Sequence, residues 1–220
     1  MHRLVATALL GLSICLPGPP VSAQPAGYGE AMRWYEREAA RGSAKAQFLL
    51  GLLYERGAGP RGKDPARAYR WFLKAAEQGH ARAQFKVASA LQFGRGVAQN
   101  VELAYAWYRR AAAFGVPEAQ HNLAFMLLNG VGTAAAPDEA ARWYGEAARN
   151  GFGPAQLALG YLYLNGTGVA KDAADAWAWF RAAESRDVAG AAAARATTGA
   201  SLPPEELERA RALAVSRLKK

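Results

Sequence analysis

Apolar residues recur along this chain with the spacing of amphipathic helices. Ala46, Leu50 and Tyr54 are four residues apart, and so are Ala68 and Phe72. Residues three or four apart lie on one face of a helix, so each segment predicts a helix with one buried stripe. Lysine, arginine and glutamate fall mostly between these stripes.

The helical segments recur in pairs with a fixed period. The first helix of each pair, helix A, begins with Ala-Gln and ends at a G-x-G sequence, whose first glycines are Gly57, Gly94, Gly130 and Gly166. The second helix, helix B, carries a tryptophan every 36 or 37 residues: Trp34, Trp71, Trp107, Trp143 and Trp179. One helical hairpin cannot bury its apolar face alone, so this period predicts a stack of hairpins. These tryptophans and glycines are therefore interpreted as structural rather than sugar-binding.

Capping residues define the ends of the predicted helices. Helix B is preceded in the four full units by Asp64, Asn100, Ala136 and Asp172. Three of these have a side-chain oxygen that can accept hydrogen bonds from the first helical turn, and Ala136 is followed by a proline that suits that turn. A glycine just after helix A adopts the left-handed conformation without steric penalty. Each unit is thus predicted to be helix A, a glycine loop, helix B and a tight turn.

The fourth unit, "AQLALGYLYLNGTGVAKDAADAWAWFRAAE" from Ala155, resembles the Sel-1-like repeat, a relative of the tetratricopeptide repeat. The resemblance extends from about residue 28 to 185. It implies an all-α fold, a right-handed superhelix of antiparallel helix pairs, and a role as adaptor or scaffold. Exported bacterial members of the family are typically periplasmic and act in envelope signalling, exopolysaccharide assembly or host contact. A cysteine-rich secreted branch is associated with β-lactam binding, which does not carry over to a chain without those cysteines.

The first 23 residues have the organisation of a secretory signal. A positive start is followed by an apolar run from Leu4 to Leu16 and by the small-residue site Val21-Ser22-Ala23. That run is shorter than the ~20 residues needed to cross a bilayer. We therefore expect cleavage after Ala23, a periplasmic or secreted protein, and no transmembrane segment after cleavage. Cys15 would suit a lipoprotein, but bulky Ile14 precedes it where a lipobox has a small residue.

The remaining chain divides into repeats and caps. Residues 24–42 are expected to form a capping half repeat, and residues 189–220 a second half repeat with a terminal helix. Within that last segment we expect a helix over residues 189–196 to break at residues 197–199, and Leu207, Ala210, Ala214 and Leu218 to form the stripe of the final helix. The four full repeats are placed at residues 43–79, 80–115, 116–151 and 152–188.

Charge and composition favour a folded protein with acidic partners. The chain is 51% hydrophobic, and 27 Lys+Arg against 18 Asp+Glu give a net charge of +9. The positive residues are scattered rather than clustered, which is typical of a solvated basic surface. Export argues against nucleic acid as the partner.

The sequence contains no recognisable catalytic set. After cleavage no cysteine remains, and the two histidines, His80 and His121, belong to different repeats. His80 is expected to be exposed, and His121 to be a packing or groove residue. The G-x-G pairs follow helices and lack the lysine of a phosphate loop. We therefore expect no catalytic residue, no cofactor and no metal.

Positions that vary between repeats are the candidates for binding, because recurring positions serve the fold. In this superhelix helix A lines the concave side, and its variable positions combine aromatic and basic residues that suit a protein or an acidic peptide. An envelope polysaccharide is the alternative ligand, and a β-lactamase-type hydrolase is a distant third. Several of these residues would alternatively pack against a neighbouring helix. The candidates are Phe48, Leu52, Arg82, Phe85, Lys86, Ser89, His121, Asn122, Phe125 and Tyr161.

Overall fold

The computed structural model describes residues 28–57 and 62–218, which fold into eleven α-helices and contain no strand. The predicted signal segment, residues 1–23, lies outside the described residues. The helices are α1 Tyr28–Ala40, α2 Ala44–Arg56, α3 Pro65–Glu77, α4 Ala81–Phe93, α5 Val101–Ala113, α6 Pro117–Asn129, α7 Pro137–Arg149, α8 Gly153–Asn165, α9 Ala173–Glu184, α10 Ala191–Ser201 and α11 Pro204–Leu218.

The helix ends follow the predicted caps. Asp64 accepts a hydrogen bond from the Arg67 N–H at 2.9 Å, and Asn100 and Asp172 make the equivalent bond at 2.8 Å. Ala136 makes no side-chain bond, and a proline takes the first helical turn. Gly57 ends α2 with φ 75°, and the equivalent glycines of α4, α6 and α8 are also left-handed, the conformation that glycine adopts without strain.

Helices pair into the hairpins α2–α3, α4–α5, α6–α7 and α8–α9, and each hairpin packs on the next. One core runs through the stack and includes fully buried Leu50, Tyr108 and Leu123. From α2 to α9 each helix contacts the helices before and after it, as expected of an α-solenoid, whereas α10 and α11 both pack on α9.

A glutamine hydrogen bond recurs between successive repeats. The glutamine of each Ala-Gln pair is buried and donates through Nε2 to a backbone carbonyl near the end of the preceding helix B. The bonds are Gln47 to Ala39 at 3.1 Å, Gln84 to Ala76 at 3.3 Å, Gln120 to Ala112 at 3.2 Å and Gln156 to Ala148 at 3.1 Å. Each of these carbonyls also accepts the backbone N–H of the glycine in the following turn, so the glutamine bond adds a second donor and ties helix A of one repeat to helix B of the repeat before it.

The C-terminal end differs from the sequence prediction in two respects. The predicted break at residues 197–199 is wrong, because α10 continues to Ser201. A Cβ at Gly199 would lie 2.7 Å from Nε1 of Trp177, so this glycine permits close packing on α9 rather than ending the helix. In the final helix Ala210 and Ala214 are buried as predicted, but Leu218 is exposed, and Leu213 packs against the cluster on α9 instead.

None of the helices in the described ranges combines the length and apolar character of a membrane span.

Candidate functional site

The ten candidate binding residues differ in exposure. Phe125 and Tyr161 are 46% and 44% exposed, and Arg82 is also exposed. The other seven are partly buried: Phe48, Leu52, Phe85, Lys86, Ser89, His121 and Asn122.

The aromatic rings among the partly buried residues pack against helix B of the same hairpin. The ring of Phe48 lies 5.8 Å from that of Phe72, and the ring of Phe85 lies 5.9 Å from that of Tyr108. Even exposed Tyr161 has one edge against Phe180, at 5.0 Å. Phe48 and Phe85 therefore support the hairpins, whereas Phe125 and Tyr161 offer a large ring surface to solvent in the third and fourth repeats, as Phe93 does at the end of α4.

The two histidines occupy packing positions. The expectation that His80 is exposed is wrong: it caps α4, its Nδ1 accepts from the Ala83 N–H at 3.2 Å, and its ring stacks on Phe48 at 4.5 Å. Burial lowers the pKa of His80, an effect that its backbone hydrogen bond opposes and the charge of Arg82 reinforces.

His121 lies edge-on to Tyr144 and Phe152, with ring centroids at 5.2 and 5.4 Å. Burial lowers its pKa, and its Nδ1 has no hydrogen-bond partner among the described residues. Burial also raises the pKa of Tyr144 to about 12, so this neighbour is neutral at physiological pH. No carboxylate of the described residues is hydrogen-bonded to Nδ1 of His121 to orient the ring as a base.

Asn122 takes part in a polar chain between the second and third repeats. Its Nδ2 donates to the hydroxyl of Tyr108 at 3.1 Å, and that hydroxyl donates to Oε1 of Gln92 at 2.8 Å. Tyr108 is fully buried, and this burial raises its pKa. The chain satisfies a buried hydroxyl, so Asn122 has a structural role in addition to any contact with a partner.

A cavity of about 470 Å³ lies between the first two hairpins. Phe72 and Tyr69 provide apolar walls, and Lys86 and Ser89 come from the predicted set. The charged lining consists of Glu55, Lys63, Lys86 and Arg95, with Lys86 Nζ 2.7 Å from Glu55 Oε2. Three cations against one carboxylate make this cavity positive.

The contribution of Tyr69 to the cavity was not predicted, because helix B was assigned to the scaffold. Its one signal in the sequence is variation, since the equivalent positions hold Tyr105, Ala141 and Trp177.

The recurring tryptophans of helix B are buried to different degrees. Trp107 and Trp179 are 8% and 7% exposed, whereas Trp34, Trp71 and Trp143 are only partly buried. Arg110 lies over the Trp107 ring at 4.7 Å, and Trp143 Nε1 donates to Glu139 at 3.3 Å. Full removal of Trp143 is accordingly expected to cost less than the ~3–5 kcal/mol typical of a fully buried tryptophan.

No group of three or more His, Cys, Asp or Glu side chains is placed to hold a metal ion within residues 28–57 and 62–218.

Comparison with known proteins identifies the repeat. The model of the Sel1 repeat matches residues 5–43, 44–80, 81–113, 117–152 and 153–187. No curated protein matches the chain.

Two similar solved structures share this fold. A protective antigen of uropathogenic Escherichia coli strains with an SLR fold is 34% identical with a TM-score of 0.81, over 90% of this chain and 43% of the antigen. The present chain thus spans less than half the length of that relative. A Sel1 repeat protein from Oxalobacter formigenes is 30% identical with a TM-score of 0.74, over 86% of this chain and 77% of that protein. The chain belongs to the Sel1 repeat family.

Proposed function

We propose that this protein is an exported, non-enzymatic scaffold that binds a protein or peptide partner through the variable face of its A helices. Sel1 repeats generally mediate protein interactions. The observation that carries the proposal is the exposure of Phe125 and Tyr161, two large rings at equivalent positions of consecutive repeats. Exposed aromatic residues are enriched among the anchors of protein interfaces.

The same face carries positive charge in the second repeat. Ser89 is equivalent to Phe125 and Tyr161, and it lines the cavity that contains Lys63, Lys86 and Arg95. A partner that follows the array would meet a basic cavity first and two aromatic rings further along. This order suits an extended or helical segment with acidic residues on one side of apolar ones.

Export and an envelope role complete the proposal. Residues 1–23 have the charge, apolar run and small-residue site of a secretory signal. The resemblance of the repeats to exported bacterial members of the family favours a partner in the cell envelope.

The test uses the mature protein as bait in an envelope extract. The double variant Phe125→Ala/Tyr161→Ala is compared with Phe114→Ala, which removes a ring that is 65% exposed in the turn after α5. We expect the double variant to lose the partner and the turn variant to retain it. Retention of the partner by the double variant would show that the helix-A face is not the binding surface.

Two further assays address the alternatives. Loss of binding after glycan-degrading treatment of the extract would favour an envelope polysaccharide as the ligand. Hydrolysis of nitrocefin by the purified protein would favour the β-lactamase-type alternative.

A further inference from the structure

The third and fourth repeats contain equivalent cavities beside the turn that joins helix B to the next helix A. The cavity of the third repeat, about 420 Å³, includes Gln120 and Trp143 in its lining. The cavity of the fourth repeat, about 250 Å³, includes Gln156 and Trp179, which lie 36 residues further along the chain. We call them the third-repeat cavity and the fourth-repeat cavity. Because their glutamines and tryptophans are at equivalent positions, the hydrogen bonds and charges of the two cavities can be compared position by position.

The glutamine and the tryptophan of the third-repeat cavity are hydrogen-bonded within the protein. Gln120 Oε1 accepts a hydrogen bond from Asn150 Nδ2 at 3.4 Å, and Trp143 Nε1 donates to Glu139 Oε1 at 3.3 Å. These two atoms therefore do not require a ligand.

In the fourth-repeat cavity both equivalent atoms lack a partner. Gln156 is 1% exposed and Trp179 is 7% exposed, yet Gln156 Oε1 and Trp179 Nε1 make no hydrogen bond among the described residues. The Gln156 amide is oriented by the bond from its Nε2 to the Ala148 carbonyl, so its free atom is the acceptor. A buried polar group without a partner costs about 1–3 kcal/mol, so two in one cavity call for an explanation.

Two residue differences between the third and fourth repeats account for the missing hydrogen-bond partners of Gln156 and Trp179. Arg186 stands at the position of Asn150, and its guanidinium lies against the turn at Gly151. Asp175 stands at the position of Glu139, but it accepts hydrogen bonds from Arg217 of α11 and not from Trp179.

The charge of the lining also differs between the two cavities. The third-repeat cavity is lined by Glu139, Glu146 and one guanidinium. The fourth-repeat cavity is lined by Arg149, Arg186 and Arg217 and by no carboxylate. Among these arginines Arg186 has no ion pair with an acidic side chain of the described residues, whereas the other two are paired with Glu146 and Asp175.

We propose that the fourth-repeat cavity binds a small oxyanion that also carries a hydrogen-bond donor, such as a carboxylate beside an amide N–H or a hydrogen phosphate. Arg186 supplies a positive charge for the anionic oxygens, and Trp179 Nε1 donates to one of them. Gln156 Oε1 accepts from the N–H or O–H of the ligand. The volume, about 250 Å³, limits the bound group to one small residue or a free ion.

The experiment follows the indole N–H signals of the ¹⁵N-labelled protein by NMR, with the signal of Trp179 assigned through Trp179→Phe. N-acetylglycine and inorganic phosphate are each titrated to millimolar concentration, and a saturable shift of the Trp179 signal with either supports the proposal. The compound that binds with the higher affinity identifies the oxyanion as a carboxylate or a phosphate. N-acetylglycinamide, which lacks the negative charge, is expected to leave the signal in place, and acetate, which lacks the donor, to bind more weakly.

Matched variants in the two cavities make the test specific. Arg186→Gln is expected to weaken binding about tenfold, the effect of losing one charge-assisted hydrogen bond. Arg142→Gln, in the third-repeat cavity, is expected to leave binding unchanged. Unchanged melting temperatures establish that both variants are folded.

Three results would overturn the inference: no saturable shift of the Trp179 signal with either anion, an equal shift of the Trp143 signal, or equal effects of the two arginine variants. Equal binding of acetate would overturn the requirement for a donor. The inference does not rest on the proposed function, since Phe125→Ala/Tyr161→Ala leaves this cavity intact, and a failure of one can be told from a failure of the other.

Discussion

At the residue scale, the closeness of helices A and B within a hairpin depends on one small residue. A Cβ at Gly51 would lie 2.6 Å from the Phe72 ring, and a Cβ at Gly160 would lie 2.5 Å from the Phe180 ring. At the equivalent positions Ala88 and Ala124 are tolerated, where the aromatic residue of helix B is tyrosine. The first and fourth repeats, which have glycine at this position of helix A, have phenylalanine at the facing position of helix B.

The variant Gly160→Ala should lower the free energy of unfolding by about 1–3 kcal/mol, because the added methyl group meets a rigid buried ring. The control is Gly145→Ala, also inside a helix, where the new methyl group meets only the flexible end of Arg149 at 3.4 Å. That change should raise the free energy of unfolding by roughly 0.4–1 kcal/mol. Urea denaturation measures both, and a gain in stability for Gly160→Ala would contradict the close approach to Phe180.

Protonation of His121 should destabilise the fold. Burial lowers the pKa of His121 below its ordinary value of 6.5 in the folded protein. As the pH falls below about 6.5 the unfolded chain takes up the proton first, so the free energy of unfolding decreases with acidification until the folded pKa is reached. His80 contributes with the same sign. Urea denaturation at about pH 7.5 and about pH 5.5 should therefore show a loss at the lower pH.

His121→Phe, which introduces the residue found at positions 48 and 85, should reduce that loss. An identical pH dependence in this variant would show that His121 is not the titrating group.

At the scale of the element, the buried glutamines connect each helix A to the helix B before it. Their hydrogen bonds add a second donor to carbonyls that already accept the N–H of a turn glycine, but the oxygens of the glutamines are not equally satisfied. Gln120 Oε1 accepts from Asn150, whereas Gln84 Oε1 is buried without a partner because Phe114 takes the equivalent place.

Gln120→Met should therefore cost more stability than Gln84→Met. Both changes remove a side-chain hydrogen bond to a carbonyl that keeps a backbone bond from the turn glycine, but only Gln84→Met also removes an unsatisfied acceptor. Thermal unfolding of the two variants in parallel gives the comparison. A larger loss of stability in Gln84→Met than in Gln120→Met would contradict the absence of a hydrogen bond to Gln84 Oε1.

Helix boundaries were predictable from the sequence where a cap determined them. Asp64 and Asn100 could be identified because their side chains satisfy local N–H groups, whatever the rest of the fold does. The continuation of α10 through Gly199 was not predictable, since it depends on the close approach to Trp177 from another helix. The exposure of the binding candidates on helix A was not predictable either, because the contact of Phe85 with Tyr108 depends on how the two helices are rotated about their axes. The fourth-repeat cavity was missed entirely, because α11 supplies Arg217 from outside the repeat.

At the scale of the whole molecule, a stack of hairpins leaves an apolar surface at its open end. Here α9 is covered by both α10 and α11, and Trp177 forms a small cluster with Ala210 and Ala214 of α11. Arg209 and Arg217 add ion pairs to Asp172 and Asp175 at the start of α9. Each repeat contacts chiefly its neighbours, so this cap should protect the last repeat much more than the first.

The variant Ala210→Asp tests this capping role. Ala210 is fully buried against α9, and an unpaired carboxylate there should lower the free energy of unfolding by about 3 kcal/mol. Val215→Asp, on the same helix at a position that is 53% exposed, is the control and should have little effect. Amide hydrogen exchange shows which helices are destabilised: protection should decrease in α9, α10 and α11 and stay unchanged in α4 and α5. A uniform loss of protection would instead mean that the array unfolds as one cooperative unit and that α11 stabilises all of its repeats.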